Sequence, residues 1–382
     1  MQEKQKLLII ANSARELELF KGDFIDASIA AGFSIAIICR GDDYYLKALK
    51  ARGAEVFISD ALRNSLSLVA DIKYCWQLYK IIRWLKPDIV FNYTIKPVIY
   101  ASIVARMTGV KNIFSLLPGL GYLFSHQTWK FRLSQTLCVF LYKIASLCNK
   151  QVIFLNQDDK LVFLQKKILP PNKIKVIDSE GVNLDVFNAA LLPDGNKIIF
   201  LFVARMMREK GIIEFIRAAE LLGENFPHAE FKIAGDCDEK TDDDLKDLIQ
   251  HYKVGSSIHY MGYVKDIRTE IAKAHVFVLP SYYREGVPRS SMESMAMGRP
   301  IITSDWVGCK ETVVDGKNGY LVPIKNVEYL ALAMKKFIEN PELIPIMGKA
   351  SRQIAEQRFD IVKINDNLLN IIREKPYENY AH

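Results

Sequence analysis

The sequence predicts an α/β protein built from two doubly wound, parallel-sheet domains. Short apolar runs alternate with segments of helical period along the chain. The runs are apolar at nearly every position, as strands covered on both faces of a parallel sheet are. The alternation comes in two series, and 382 residues are enough for two domains.

The first series places strands at 7–12, 33–39, 54–59, 88–93, 112–117 and 151–156, with helical segments near 14–31, 44–52, 67–86, 97–108, 127–148 and 158–167. The second places strands at 197–204, 230–234, 258–260, 276–279, 300–303 and 320–322, with helices near 209–222, 242–252, 266–274, 290–297 and 326–340. Two βα series of this kind predict two Rossmann-like domains facing a cleft, with ligands at the carboxyl ends of the strands. The turn-rich stretch LLPDGN within 187–196 marks the joint, giving domains 1–187 and 188–357. Beyond Pro341 the chain is helical. Ile361, Ile364, Leu368, Leu369 and Ile372 form one apolar stripe.

Composition narrows the function classes. Half of the residues are apolar and a quarter are charged, which excludes a disordered or fibrous chain. The six cysteines include no C-x-x-C pair, so neither a zinc site nor a redox pair is expected. Free cysteines in apolar stretches fit a reducing cytoplasm. The N-terminal apolar run, 7–11, is too short for a signal peptide. No stretch of about 20 apolar residues suggests a membrane-spanning helix. No G-x-G-x-x-G follows a strand, which disfavours a dinucleotide-dependent dehydrogenase.

Charge is unevenly placed. Residues 1–150 hold 20 Lys+Arg against 11 Asp+Glu, and the remainder holds 31 against 33. Residues 89–157 contain no Asp or Glu, yet hold Lys96, Arg106, Lys111, Lys130, Arg132, Lys143 and Lys150. The segment before them adds Lys73, Lys80, Arg83 and Lys86 among Tyr74, Trp76, Tyr79 and Trp84. Basic residues interleaved with aromatics suit an anionic membrane surface. The plainer reading is a helix with ordinary lysines, plus cations for an anionic acceptor. No nucleic-acid-binding module is present, so nucleic acid is not an expected partner.

The chemistry concentrates in two segments. In REGVPRSSMESMAMGRPIITSD (284–305), Glu285 and Glu293 flank a Gly286-Val287-Pro288 turn, with Ser290 and Ser291 as expected N-caps of the next helix. A helix N-terminus offers free N–H groups to a diphosphate, and two nearby carboxylates can accept bonds from sugar hydroxyls. In VARMMREKG (203–211), a strand end delivers Arg205, followed by Arg208 and Lys210. Fixed cations there can neutralise a leaving diphosphate. After the fourth strand Lys96 is a candidate ligand-facing cation. In the following loop Gly119, Gly121 and His126 are weaker candidates: glycines that admit a ligand or simply turn, and a histidine that acts or is structural.

These features together resemble the retaining family 4 glycosyltransferases. The resemblance rests on VARMMREKG, KIAGD (232–236), YMGYVKD (260–266), FVLPSYYREGVPRSSMESMAMGRPII (277–302) and DGKNGYLVP (315–323), in order and spacing. It implies the GT-B fold, with a C-terminal helix, 358–382, crossing back to the N-terminal domain. By position, Arg205, Lys210 and Glu285 would be catalytic: the cations hold the donor's diphosphate and Glu285 contacts the sugar. Glu293 would bind the ribose hydroxyls, the amides of Gly286, Val287, Pro288 and Arg289 the distal phosphate, and the backbone at Tyr263 and Val264 the base. No metal or other cofactor is implied, because cations and a helix terminus carry the charge. FNYTIKPVIYASIVAR (91–106) and LLPGLGYLF (116–124) are similar to transferases that build bacterial surface glycans on undecaprenyl diphosphate. The implied reaction moves a HexNAc or hexose from a UDP-sugar to a polyprenyl-diphosphate-linked saccharide. The implied location is peripheral, on the cytoplasmic face of the inner membrane. The alternatives are a nucleotide-sugar epimerase of the same architecture and a non-catalytic sugar-nucleotide-binding partner.

Overall fold

The computed structural model describes residues 4–59, 68–120, 129–237, 241–252 and 257–374. The chain divides into two compact units. The first comprises residues up to Glu180 together with those from Val362 onward, and the second runs Gly181–Ile361.

Unit 1 is built from β1 (Lys6–Ser13), α1 (Ala14–Ala30), β2 (Ser34–Arg40), α2 (Asp43–Ala51), β3 (Glu55–Ile58), α3 (Leu68–Leu85), β4 (Ile89–Tyr93), α4 (Ser102–Met107), β5 (Asn112–Leu117), α5 (Trp129–Cys148), β6 (Gln151–Phe154), α6 (Gln157–Gln165) and β7 (Ile174–Val176). Its seven strands are parallel, in the order β3-β2-β1-β4-β5-β6-β7. The order reverses between β1 and β4, so their carboxyl ends form the switch point of this sheet. Leu7–Ala11 in β1 are fully buried, which explains their unbroken apolar sequence. Short polar side chains start the helices. Ser13 accepts from the Glu16 N–H (3.4 Å), Asp42 from Tyr45 (3.2 Å) and Asn156 from Asp159 (2.7 Å).

Unit 2 contains β8 (Ile198–Val203), α7 (Ile212–Gly223), β9 (Ala229–Ala234), α8 (Asp243–His251), β10 (Ile258–Tyr260), α9 (Arg268–Ala272), β11 (Val276–Leu279), α10 (Arg289–Ala296), β12 (Ile301–Ser304), β13 (Gly319–Val322), α11 (Val327–Glu339) and α12 (Leu343–Ile354). Its six parallel strands run β10-β9-β8-β11-β12-β13, and the order reverses between β8 and β11. Phe200, Phe202, Phe215 and Phe231 anchor the core.

The last helix, α13 (Ile361–Ile372), supplies Ile364, Leu368, Leu369, Ile371 and Ile372 to the core around Leu7, Ile9 and Phe24 of unit 1. The expected domain bounds of 1–187, 188–357 and 358–382 need correction at both crossings. Residues 181–187 and 358–361 belong to unit 2. There the Val182 N–H donates to the Phe359 carbonyl (2.7 Å) and the Ile361 N–H to that of Val182 (3.1 Å). Val182, Phe187 and Phe359 are buried in the unit 2 core. Gly181 has φ +86, and a Cβ there would stand 2.9 Å from the Ile361 Cα.

Candidate functional site

The reversal between β8 and β11 brings the two motif segments of unit 2 together. Arg205 stands two residues beyond β8 and is exposed. A 3₁₀ turn, Arg208–Lys210, then leads through Gly211 into α7. Gly211 has φ +79, and a Cβ there would lie 2.2 Å from the Pro280 carbonyl oxygen, so only glycine lets the turn press against the chain leaving β11. The Glu209 carbonyl accepts from the N–H groups of Tyr282 (2.8 Å) and Tyr283 (3.0 Å). Ser281 Oγ lies 3.2 Å from that carbonyl oxygen and 3.1 Å from Glu285 Oε1.

This clamp sets Lys210 against Glu285. Lys210 Nζ donates to Glu285 Oε2 at 2.5 Å, and the side chains are only 11% and 18% exposed. The Tyr283 ring centroid lies 5.4 Å from Nζ. The loop after β12 also packs directly on the site: a Cβ at Gly308, φ +81, would meet the Gly286 carbonyl oxygen at 2.1 Å. The next residue, Cys309, is fully buried, and burial, aided by the Glu285 charge, pushes its thiol up to about 12.

Gly286, Val287 and Pro288 are buried and lead into α10. The expected serine caps are corrected here. Pro288 is the N-cap and Arg289 the first helical residue, so Ser290 and Ser291 lie inside the first turn and no side chain caps the end. Glu293 is buried one turn on, and its Oε1 accepts from Arg289 Nε at 2.8 Å. Burial raises the Glu293 carboxyl above its ordinary value, with Arg289 opposing. Tyr263, 62% exposed, and Val264 follow β10, where the Gly262 carbonyl accepts from the Gly235 N–H (2.9 Å). Unit 2 therefore collects Arg205, Lys210, Glu285, the turn 286–288, Arg289 and Glu293 around one switch point. Tyr263 and Val264 sit beyond the neighbouring pair of strands.

Unit 1 carries the weaker candidates. Lys96 Nζ donates to Asp71 Oδ1 (2.9 Å), and Tyr100 OH donates to the other oxygen (2.8 Å). Lys96, expected to face a ligand, is thus held by a carboxylate 25 residues away in the chain, a partnership its local sequence does not show. Gly119 is half-buried just past β5, while Gly121 and His126 lie outside the described residues. A trio absent from the sequence reading stands at the β4 end. Tyr93 OH donates to Glu180 Oε1 (2.6 Å), and buried Lys21 has its Nζ 3.9 Å from the same oxygen and 5.5 Å from the Tyr93 ring centroid. Thr94 follows with φ +75, a conformation that β-branched residues rarely adopt. These residues come from three distant stretches of chain, so no local sequence signal marks them.

Two Rossmann-like units, one with paired cations and carboxylates beside an uncapped helix N-terminus, have the architecture and charges that suit a sugar-nucleotide ligand. The family comparison agrees. The model for "Glycosyl transferases group 1" matches residues 185–354, and that for "Glycosyl transferase 4-like" matches residues 6–156. The chain belongs to these glycosyl transferases.

Its relatives include the N,N'-diacetylbacillosaminyl-diphospho-undecaprenol alpha-1,3-N-acetylgalactosaminyltransferase of Campylobacter jejuni, 28% identical over 82% of this chain and 85% of that one. The UDP-Gal:alpha-D-GlcNAc-diphosphoundecaprenol alpha-1,3-galactosyltransferase of Escherichia coli is 27% identical over 89% and 88%. Among solved structures, a Rickettsia africae glycosyltransferase superposes with TM-score 0.79 at 21% identity, covering 97% of this chain and 99% of that one. Anabaena HepE in complex with UDP and glucose gives TM-score 0.80 at 18% identity, with the same coverage. These transferases do not favour the epimerase or non-catalytic alternatives.

Proposed function

We propose that the protein is a retaining transferase of family 4 type. It moves a HexNAc or hexose from a UDP-sugar to a saccharide carried on a polyprenyl diphosphate. The Lys210–Glu285 pair at the β8/β11 switch point, beside the uncapped start of α10, is the observation that carries this reading. The names of the Campylobacter and Escherichia relatives support the lipid-linked acceptor, and the HepE complex supports UDP.

In this reading Arg205 and Lys210 take the diphosphate, and the N–H groups of Gly286, Val287 and Arg289, on either side of Pro288, take its distal phosphate. Glu285 accepts from hydroxyls of the transferred sugar, Glu293 accepts from the ribose, and the backbone at Tyr263–Val264 meets the base. The acceptor oxygen bonds to the anomeric carbon as the carbon–phosphate-oxygen bond breaks, and the acceptor proton passes to the departing phosphate. The acceptor is assigned to unit 1, near Thr94 and Gly119. Charge stabilisation is assigned to the cations and the helix terminus, without a metal.

The protein works at the inner face of the bacterial inner membrane, docked through α3, α4 and α5. Among the described residues no helix is long and apolar enough to cross a membrane. The outer sides of these helices instead expose Val69, Ile72, Trp76, Trp84, Met107, Leu137, Phe140 and Leu147. Their sequences hold one carboxylate, Asp71, which is buried and paired with Lys96.

The test is sugar transfer from a panel of UDP- and GDP-sugars to polyprenyl-diphosphate acceptors. Glu285→Ala, and Arg205→Ala combined with Lys210→Ala, should each lower turnover at least about 100-fold while the fold is kept. Full activity in either variant removes that residue set from the site, and loss of activity in chelator removes the metal-free account.

A further inference from the structure

We propose that Glu285 is an internal competitor for Lys210 that lets the site hold the intact donor and shed the nucleoside diphosphate once the sugar has left. The inference rests on the donor site proposed above and adds a role to it.

The cation assigned to the diphosphate is held by the carboxylate assigned to the sugar, at 2.5 Å. Neither group can easily relax away from the other. The lysine sits in a 3₁₀ turn pinned by the Glu209 carbonyl to 282 and 283, and Gly211 fixes that turn against Pro280. The other carboxylate oxygen has Ser281 Oγ at 3.1 Å, and the loop behind is fixed by the contact of Gly308 with Gly286. The pair leaves a nearly neutral, mostly buried unit, the arrangement that avoids an uncompensated buried charge.

An arriving donor exchanges both partners at once. Its diphosphate takes the ammonium, and its sugar hydroxyls donate to the carboxylate, so neither group is left unpaired. The departing nucleoside diphosphate offers no such exchange. It takes the ammonium but returns no donor to Glu285, and its new phosphate charge faces a carboxylate stripped of its cation. An unpaired buried carboxylate is strongly unfavourable, so Glu285 reclaims Lys210 and the product leaves. The second pair, Arg289–Glu293, has the same form at 2.8 Å. It does not discriminate, because the ribose is present in donor and product alike.

The experiment is calorimetric titration of UDP and UDP-N-acetylgalactosamine into the wild type, Glu285→Gln, Glu285→Ala, Lys210→Met and the Lys210→Met/Glu285→Gln double variant. Removing the competitor should tighten UDP about tenfold in both Glu285 variants, although their transfer activity falls. In the Lys210→Met background the Glu285 change should tighten UDP far less, because only the repulsion between carboxylate and phosphate remains to be relieved; an equal tightening in both backgrounds overturns the competitor role. The wild type should bind the intact donor more tightly than UDP, a readout that needs no variant to fold. Unchanged or weaker UDP binding in folded Glu285 variants, or a wild type that prefers UDP, overturns the competitor role and leaves the transferase reading intact. A wild type that binds no nucleoside diphosphate overturns both.

Discussion

Arg299 is 1% exposed and is surrounded by backbone carbonyls. Its guanidinium donates to Ile271, Ala190, Met297, Leu191 and Ala272 at 2.8–3.2 Å, and burial lowers its pKa to about 10. Beside it, His275 Nδ1 accepts from the Ile199 N–H (3.1 Å). Burial lowers the His275 pKa, the Arg299 charge lowers it further, and a bond to the Pro193 carbonyl opposes them. Together these two side chains fasten 190–193 to unit 2. Because the folded-state pKa of His275 lies below its ordinary 6.5, the unfolded chain binds that proton more readily. Stability from this group is therefore full above pH 6.5 and falls as the pH drops from there toward the folded pKa. Urea midpoints should show the wild type losing ground to His275→Gln from pH 6.5 downward, with a constant difference above pH 7; parallel curves from pH 7 to 5 would refute this. The motif residues of unit 2 were legible because each lies within one short word of sequence. The Glu209 carbonyl and Ser281, 72 residues apart in the chain, were not, because only the fold makes them neighbours.

At the level of elements, most strands were readable from their apolar runs, and β9 and β10, interrupted by Glu230, Lys232 and His259, from their place in the βα alternation; β7 was not. β7 is three residues, Ile-Lys-Val, too short to show any period. Its pairing to β6, Val152 opposite Ile174, is what makes it a strand. The start of α10 was misread because serine is the commoner cap, whereas here Pro288, with φ −63, leads straight into the helix. The helix α3 was legible in its basic and aromatic content but not in its division of faces. Asp71, Tyr74, Leu78, Ile82 and Leu85 turn inward, while Val69, Ile72 and Trp76 face out above Lys80 and Arg83. Lys80 Nζ lies 5.2 Å from the Trp76 ring centroid, and that ring stacks on Tyr79. Beside α5 a groove of about 540 Å³ is lined by Ile144, Leu147, Ile168 and Leu169, with Lys143 and Lys167 at its edge. With about 1 kcal/mol per basic residue at an anionic surface, Lys80→Glu with Arg83→Glu should weaken binding to phosphatidylglycerol vesicles more than tenfold. Binding to phosphatidylcholine vesicles should change little, and so should the unfolding midpoint. Unchanged flotation with the anionic vesicles would detach α3 from the membrane.

For the whole molecule, two α/β units were readable from the two βα series, but the place where the chain passes between them was not. The turn-rich LLPDGN stretch looked like a linker because composition marks backbone freedom, and composition cannot show that Arg299 and His275 remove it. The passage is instead at Glu180–Gly181 and Ile361–Val362, where an ion pair and a glycine replace any obvious linker sequence. The apolar stripe of α13 was visible; its destination in the unit 1 core was not a property of the stripe itself. Ending the chain after Ile361 removes five buried apolar side chains from that core. At about 1.5–3 kcal/mol for each, the loss rivals the whole stability of a typical domain. Limited proteolysis of the truncated protein should degrade unit 1 and spare 181–361; a protease-resistant unit 1 would show that α13 is dispensable. The interleaved order also bears on biosynthesis. On the ribosome the residues up to Glu180 are made first, and the apolar surface around Leu7, Ile9 and Phe24 stays uncovered while unit 2 is translated, until α13 follows. Throughout that interval the uncovered surface is a target for chaperones and for aggregation.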